Sequence, residues 1–276
     1  MPPTSSGPKT DPMIVRSAAI NVMTAAARKA ARGLLRDFGE VEQLQVSKKG
    51  PGDFVSAADH RVEKVLRQEL KKARPEYGFL LEEGGVVEGS DPHNVWIIDP
   101  LDGTTNFLHG IPHFAISIGL VRDGEPIAGV VYQPLTDEMF WAEKGQGCFV
   151  NERRLRVSAR RRLDESVIAT GIPHFGRPEP ELFLKQLARV MEATAGVRRF
   201  GSAALDLAYV AAGRYEGFWE IGLKAWDIAA GIILVREAGG YVSEIDGGHD
   251  MMTSGNVLAA NDHLHLPLGT LLRAAS

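Results

Sequence analysis

One stretch, Trp96-Ile-Ile-Asp-Pro-Leu-Asp-Gly-Thr-Thr-Asn106, constrains this chain more than any other. An apolar run ends on Asp99, Pro100 forces a turn, and Asp102 follows three residues after Asp99. Carboxylates that close repel each other unless a cation or a proton is shared between them. Hard oxygen ligands suit Mg²⁺, which also accepts a backbone carbonyl such as that of Leu101. Beyond Asp102, Gly103-Thr104-Thr105 can present unpaired amides at a helix start, a ready anion site. The order acid, acid, glycine, hydroxyl thus sets metal ligands beside a phosphate cradle. The alternative for this stretch alone is a surface turn, since Asp, Pro and Gly are common turn formers.

Other carboxylates decide against the turn. Glu82-Glu83 closes an apolar strand, so one carboxylate can point where Asp99 points. Asp227 opens an apolar helix in Ala225-Trp-Asp-Ile-Ala-Ala-Gly231, and Asp59 sits on the first turn of an earlier helix. Taken singly, these acids read as a solvated strand end and as helix caps or dipole partners.

Apolar residues between Met13 and Phe38 recur at helical spacing, with Ile14, Ala18, Met23, Ala26, Ala30, Leu34 and Phe38 near one stripe. Gly39 suits the C-terminal stop. Pro51-Gly52 breaks the chain, and a second helix is predicted from Ser56, a suitable N-cap, through Val62, Leu66 and Leu70 to Pro75. Strands are expected at 79–81, 95–98, 114–122, 126–133, 138–142 and 147–150, with Asp123-Gly124 a strong hairpin signal. They read as an antiparallel meander covered by the two helices. Beyond Arg160-Arg161-Arg162, helices at 179–194, 203–213, 227–238 and 262–274 alternate with strands near 166–170, 197–200, 215–219, 241–245 and 256–260. The pattern predicts a disordered tail (1–12), an α+β half (13–155) and an α/β half (156–276), the two halves packed as one unit.

Net charge is −4 over 276 residues, so no global basic field attracts nucleic acid or anionic lipid. A phosphate-handling chain of this balance would draw positive charge from bound metal. A single cysteine, Cys148, excludes an internal disulfide and fits a reducing cytosol. No apolar run approaches membrane-spanning length, and the start lacks an apolar signal core. A cytoplasmic protein without membrane or nucleic-acid partners is the expectation.

Together these segments resemble the inositol monophosphatase family of Mg-dependent, lithium-sensitive sugar phosphatases, over about residues 13–262. Its signatures are Trp96 to Asn106, and Trp226-Asp227 with Glu237-Ala-Gly-Gly240. Lys48 to Asp59, Gly201-Ser-Ala-Ala204 and Asn256-Val-Leu-Ala-Ala-Asn261 support it. The resemblance implies a layered αβαβα sandwich with the active site between its halves, a homodimer, and inhibition by Li⁺. It implies hydrolysis of inositol 1-phosphate with two to three Mg²⁺ ions. Glu82, Asp99 and the Leu101 carbonyl would hold one ion; Asp99, Asp102 and Asp227 would hold a second, with Asp99 bridging. Glu82 would help to hold a weaker third. Gly103, Thr104 and Thr105 would bind phosphate through backbone amides. The Thr104 hydroxyl, oriented by Asp59, would position and help deprotonate the attacking water. Asp102, Ala203, Glu220 and Asp227 would face the hydroxyls of the alcohol. Two ions roughly 3.5–4 Å apart clamp the attacking and leaving oxygens of an in-line displacement, so no side-chain nucleophile is needed.

The chain departs from the family pattern at Leu81 and Gly84, which flank the paired glutamates, and at Ser56, where Thr is frequent. Lys224 stands where some relatives carry His; it reads as a substrate contact or a solvated loop lysine. His109 and His113 are separated by Pro112-containing chain, which argues against a shared metal face. His263 and His265 read as surface residues, Gly145-Gln146-Gly147 as a hairpin turn, Cys148 as core, and Arg160 to Arg162 and Arg198-Arg199 as solvated. Two other functions compete. One is a sugar-phosphate phosphatase acting on fructose 1,6-bisphosphate, histidinol phosphate or a nucleotide 3′-phosphate, with selectivity set by loops around 171–180 and 220–225. The other is a regulatory protein on the same fold that binds RNA or the transcription machinery, which the intact acids disfavour.

Overall fold

The computed structural model describes residues 16–39, 46–48, 54–173 and 180–275. The predicted tail, the helix start at Met13 and Ile14, the Pro51-Gly52 break, the Ser56 side chain and residues 174–179 of the 171–180 loop lie outside the described residues.

Helix α1 (Ala18–Phe38) starts where the Ser17 hydroxyl accepts the Ile20 N–H at 3.2 Å. Its buried face carries Ile20, Met23, Ala27, Ala30 and Leu34, whereas Ala18, expected on that stripe, is exposed. Gly39 caps the helix at φ −68°, a right-handed conformation that makes no use of glycine's freedom. After a two-stranded ribbon of β1 (Val46–Lys48) and β2 (Phe54–Ser56), helix α2 (Ala57–Ala73) packs Val62, Leu66 and Leu70 beside α1. Arg61 donates to the buried Asp37 carboxylate at 2.6 Å, tying the helices together. Pro75 disfavours helical backbone at Arg74, and the helix stops just short of it.

The first sheet contains β3 (Tyr77–Leu81), β4 (Gly85–Val87), β5 (Asp91–Asp102), β6 (Ala115–Arg122), β7 (Glu125–Gln133), β8 (Glu138–Glu143), β9 (Gly147–Val150) and β10 (Arg153–Leu155), with helix α3 (Thr104–Leu108) between β5 and β6. Its order is β10-β9-β8-β7-β6-β5-β3-β4. Asp123 and Gly124 turn the β6–β7 hairpin with φ of 50° and 80°, the twist that such a tight loop requires. The expected antiparallel meander is corrected at one edge. The chain leaves β3, runs back outside it as β4, and re-enters on the other side as β5, parallel to β3. Strands β4 and β10, both short edge strands, were not predicted from the pattern.

The second sheet holds β11 (Val167–Thr170), β12 (Gly196–Arg198), β13 (Gly217–Glu220), β14 (Tyr241–Ser243) and β15 (Val257–Ala260), in the order β12-β11-β13-β15-β14. Helix α4 (Pro180–Ala193) precedes β12, and α5 (Ala203–Ala211) and α6 (Ala225–Glu237) flank β13. The short α7 (Met251–Ser254) precedes β15, and α8 (His265–Arg273) follows it. Helices α1 and α2 cover the outer face of the first sheet, α5 and α6 lie between the sheets, and α4 and α8 cover the second. This is the layered αβαβα sandwich. Every residue of α6 from Asp227 to Val235 is buried, as a helix between two sheets demands.

Two polar details differ from expectation. Arg160 is not simply solvated: it donates to the fully buried Glu216 carboxylate at 2.8 Å, whose other oxygen accepts the Val167 N–H. His265 is half-buried and pairs with the Ser243 hydroxyl at 3.0 Å. Cys148 lies in the core. No helix among the described residues is long and apolar enough to cross a membrane.

Glycines let α6 sit close to the first sheet. A Cβ on Gly129 would lie 2.7 Å from the Ala230 carbonyl oxygen and 2.6 Å from Ile233. Gly129→Ala is therefore expected to lower stability by about 1–3 kcal/mol in chemical denaturation. Gly33, mid-helix in α1 with open space around its Cβ direction, is expected to gain about 0.5–1 kcal/mol as Ala.

Candidate active site

The parallel pairing of β3 and β5 sets Leu81 opposite Ile98, so Glu82 and Asp99 emerge side by side. The Glu82 N–H still donates to the Ile98 carbonyl at 3.3 Å. Asp99 is 2% exposed, and its Oδ1 accepts the Leu101 N–H at 2.8 Å, closing the turn that Pro100 begins. That turn aims Asp102 at the first turn of α5, where its Oδ2 accepts from the Ser202 hydroxyl at 2.5 Å and the Ala204 N–H at 2.8 Å. Asp227, in the first turn of α6, accepts the Lys224 N–H at 2.7 Å and completes the group from the opposite side. Carboxylate oxygens of Asp99, Asp102 and Asp227 all lie within 4.8 Å of one another.

Burial and repulsion raise the proton affinity of these acids. Asp99 sits well above the usual carboxylate range because it is buried beside Glu82, Asp102 and Asp227. Asp102 is pushed up to about 7 by burial and by Asp227, against the pull of its Ser202 and Ala204 hydrogen bonds. Glu82 rises to about 8 through burial and the charges of Asp227, Asp59 and Glu83. A hard divalent cation would relieve this repulsion, and an all-oxygen donor set fits one.

The other predicted residues surround the cluster. Asp59, 2% exposed, lies on the first turn of α2 within electrostatic reach of Glu82. The Leu101 carbonyl accepts the Thr104 hydroxyl at 2.9 Å. Gly103 precedes α3 at φ 95°, where a side chain is strained and a Cβ would crowd the His113 carbonyl at 3.0 Å. Thr104 and Thr105 form the first turn of α3. Ala203 opens α5, and Glu220 ends β13. His113 packs its ring against Phe200 and Tyr209, away from any acid cluster.

Two contributors were given no role in the sequence. Ser202, within the Gly201-Ser-Ala-Ala204 motif, holds Asp102 across 100 residues of sequence, a contact that the motif itself does not reveal. Asp206, in the first turn of α5, is 1% exposed and raised well above its usual range by burial and by the charges of Glu220 and Asp102. A lone acid inside the apolar run Ala203-Ala-Leu-Asp-Leu-Ala208 was its available signal.

Interleaved helices and sheets around a buried oxygen-donor cluster define a metal-dependent class of fold and site. More particularly, the chain belongs to the inositol monophosphatase family, whose profile matches residues 16–275. It is 61% identical to an inositol-1-monophosphatase of Mesorhizobium japonicum, over 90% of this chain and 94% of that one. It is 45% identical to the Nus factor SuhB of Escherichia coli, over 88% of this chain and 91% of that protein. The crystal structure of the extragenic suppressor protein SuhB of Bartonella henselae superposes with a TM-score of 0.91 at 56% identity, covering 93% of this chain and 99% of that one. The family is metal-dependent, and the aspartate cluster is placed to hold a metal.

In metal-free protein, Asp102 and Glu82 bind protons more tightly when folded. Their stabilising contribution is complete below about pH 4 and is lost as pH rises through about 7 and 8. The melting temperature of chelated protein is expected to fall between pH 5 and pH 8.5, with a shallower slope in Asp102→Asn. Added divalent metal at pH 8 is expected to raise the wild-type value by several degrees and the variant's by less. Parallel slopes in thermal melts would contradict the assignment.

Proposed function

We propose that this chain hydrolyses inositol 1-phosphate to inositol and phosphate, with Mg²⁺ at the aspartate cluster. The observation that carries this reading is the buried convergence of Asp99, Asp102 and Asp227 beside the start of α3. The 61%-identical inositol-1-monophosphatase supports the substrate. In this reading Glu82, Asp99 and the Leu101 carbonyl would hold one ion, Asp99, Asp102 and Asp227 would hold a second, and Glu82 would contribute to a third. Bound Mg²⁺ supplies positive charge for the phosphate and makes water a usable nucleophile at neutral pH.

The chain's own groups do the rest. Backbone amides of Gly103, Thr104 and Thr105 receive the phosphate oxygens. The Thr104 hydroxyl, which donates to the Leu101 carbonyl at 2.9 Å in this structure, would turn its proton to the Asp59 carboxylate, take the proton of the attacking water on its oxygen and pass its own to Asp59. Ala203, Glu220, Asp102 and Asp227 face the hydroxyls of the alcohol, with Asp102 fixed by Ser202 and Ala204. Residues 13–155 and 156–276 act as one folded unit, because the site needs acids from both. In this reading the molecule works in the cytoplasm as a homodimer and is inhibited by Li⁺, as membership of its family implies.

Phosphate release with Mg²⁺ is expected to show its highest kcat/KM on inositol 1-phosphate, compared with fructose 1,6-bisphosphate and histidinol phosphate. Asp102→Asn and Asp227→Asn should each lower it by about 100-fold or more while the fold persists. Preference for another ester would replace the substrate and keep the chemistry. The 45%-identical Nus factor favours a second reading, a regulatory binding role. Absence of turnover on every ester, with salt-sensitive RNA binding retained in Asp102→Asn, would establish that reading instead.

A further inference from the structure

We propose that Gly171 is a positioning residue whose missing side chain seats the Glu220 carboxylate and thereby sets which alcohol the site accepts. Strands β11 and β13 run parallel, with Thr170 opposite Trp219. The Thr170 hydroxyl donates to the Trp219 carbonyl at 2.8 Å, and both residues are buried, so the two strand ends are fixed to each other. The next residues are Gly171, just past β11, and Glu220, the last of β13. A Cβ built on Gly171 would overlap the Glu220 carboxylate carbon and both of its oxygens. The Glu220 carboxylate therefore lies directly over the Gly171 backbone.

Gly171 is not among the glycines with positive φ, so its backbone is open to any residue. What the position requires is space. The overlapping atoms are the tip of a flexible side chain, so an alanine would move Glu220 rather than break the core. Asp206, buried in α5, lies within electrostatic reach of the same carboxylate. Glycine at 171 thus leaves the space in which the Glu220 carboxylate rests against the backbone.

This inference rests on the reading in which Glu220 faces the alcohol. Its test compares inositol 1-phosphate with p-nitrophenyl phosphate, whose alcohol carries no further hydroxyls. The ratio of their kcat/KM values is measured for wild type, Gly171→Ala, Glu220→Ala and the double variant, with melting temperatures alongside. Gly171→Ala is expected to lower the ratio by about tenfold, chiefly through KM for the inositol ester, with a melting temperature close to wild type. In the Glu220→Ala background the same substitution should lower the ratio no further, because the displaced group is gone. Additive losses, or equal losses on both esters, overturn the proposal. A wild-type ratio in Glu220→Ala instead overturns the substrate reading beneath it.

Discussion

Repulsion among acids held out of water is the constraint on which this structure turns. Glu82, Asp99, Asp102 and Asp227 come from three separate segments, and three of them present oxygens within 4.8 Å of one another. Removing one charge from water costs several kcal/mol even after relaxation, and like neighbours add to that cost. The arrangement persists because each acid is tied to rigid backbone. Asp99 is held by the Leu101 N–H, Asp102 by Ser202 and Ala204, and Asp227 by the Lys224 N–H. The apolar core that encloses α5 and α6 between the two sheets supplies hydrophobic burial that offsets this cost. A cation entering the cluster meets ligands already in place, so little ordering remains to be done on binding.

Which parts of this were legible in the sequence follows from how local each is. The turn from Asp99 to Asp102 was readable because its acids, proline and glycine are consecutive. The helices and strands of the second half fell within a few residues of expectation, because α4 and α8 carry apolar periods and α5 and α6 read as apolar runs too long for strands, all set between short strands. The β3–β5 pairing was not readable. It depends on β4, a three-residue strand with two exposed residues whose pattern carries no signal for an outer edge. Yet that detour makes β3 and β5 parallel, and parallel strands bring their acid-bearing ends to the same side. Arg160 misled for a similar reason: its partner Glu216 lies 56 residues away, and an arginine run in a polar segment reads as solvated.

Asp102 shows how a motif can be read correctly and still be incompletely understood. Its place in the signature marks it as a ligand. The donors that orient it, Ser202 and Ala204, come from the second half of the chain. The carboxylate is thus both a member of the cluster and the point at which α5 is docked against the first sheet. Because Ser202 also caps α5, a shift of Asp102 would be felt at the helix start, where Ala203 and Asp206 lie. In the proposed reading, chemistry and alcohol recognition would be coupled through this side chain.

The division of labour between the halves then has a physical basis. The first half supplies Glu82, Asp99, Asp102 and the α3 start, all drawn from one sheet edge and one turn. These groups address a metal and a phosphate, which every phosphomonoester presents alike. In the proposed reading the alcohol portion would meet the ends of β11 and β13 and the first turn of α5, where Gly171, Glu220 and Asp206 converge. On the proposal made above, recognition there would depend on where the Glu220 carboxylate rests, which the missing side chain of Gly171 allows. A glycine with ordinary backbone leaves no trace in hydropathy or turn pattern. The acids of the cluster and Glu220 were therefore readable in the sequence, whereas Gly171, against whose backbone Glu220 rests, emerges only when the strand ends are seen side by side.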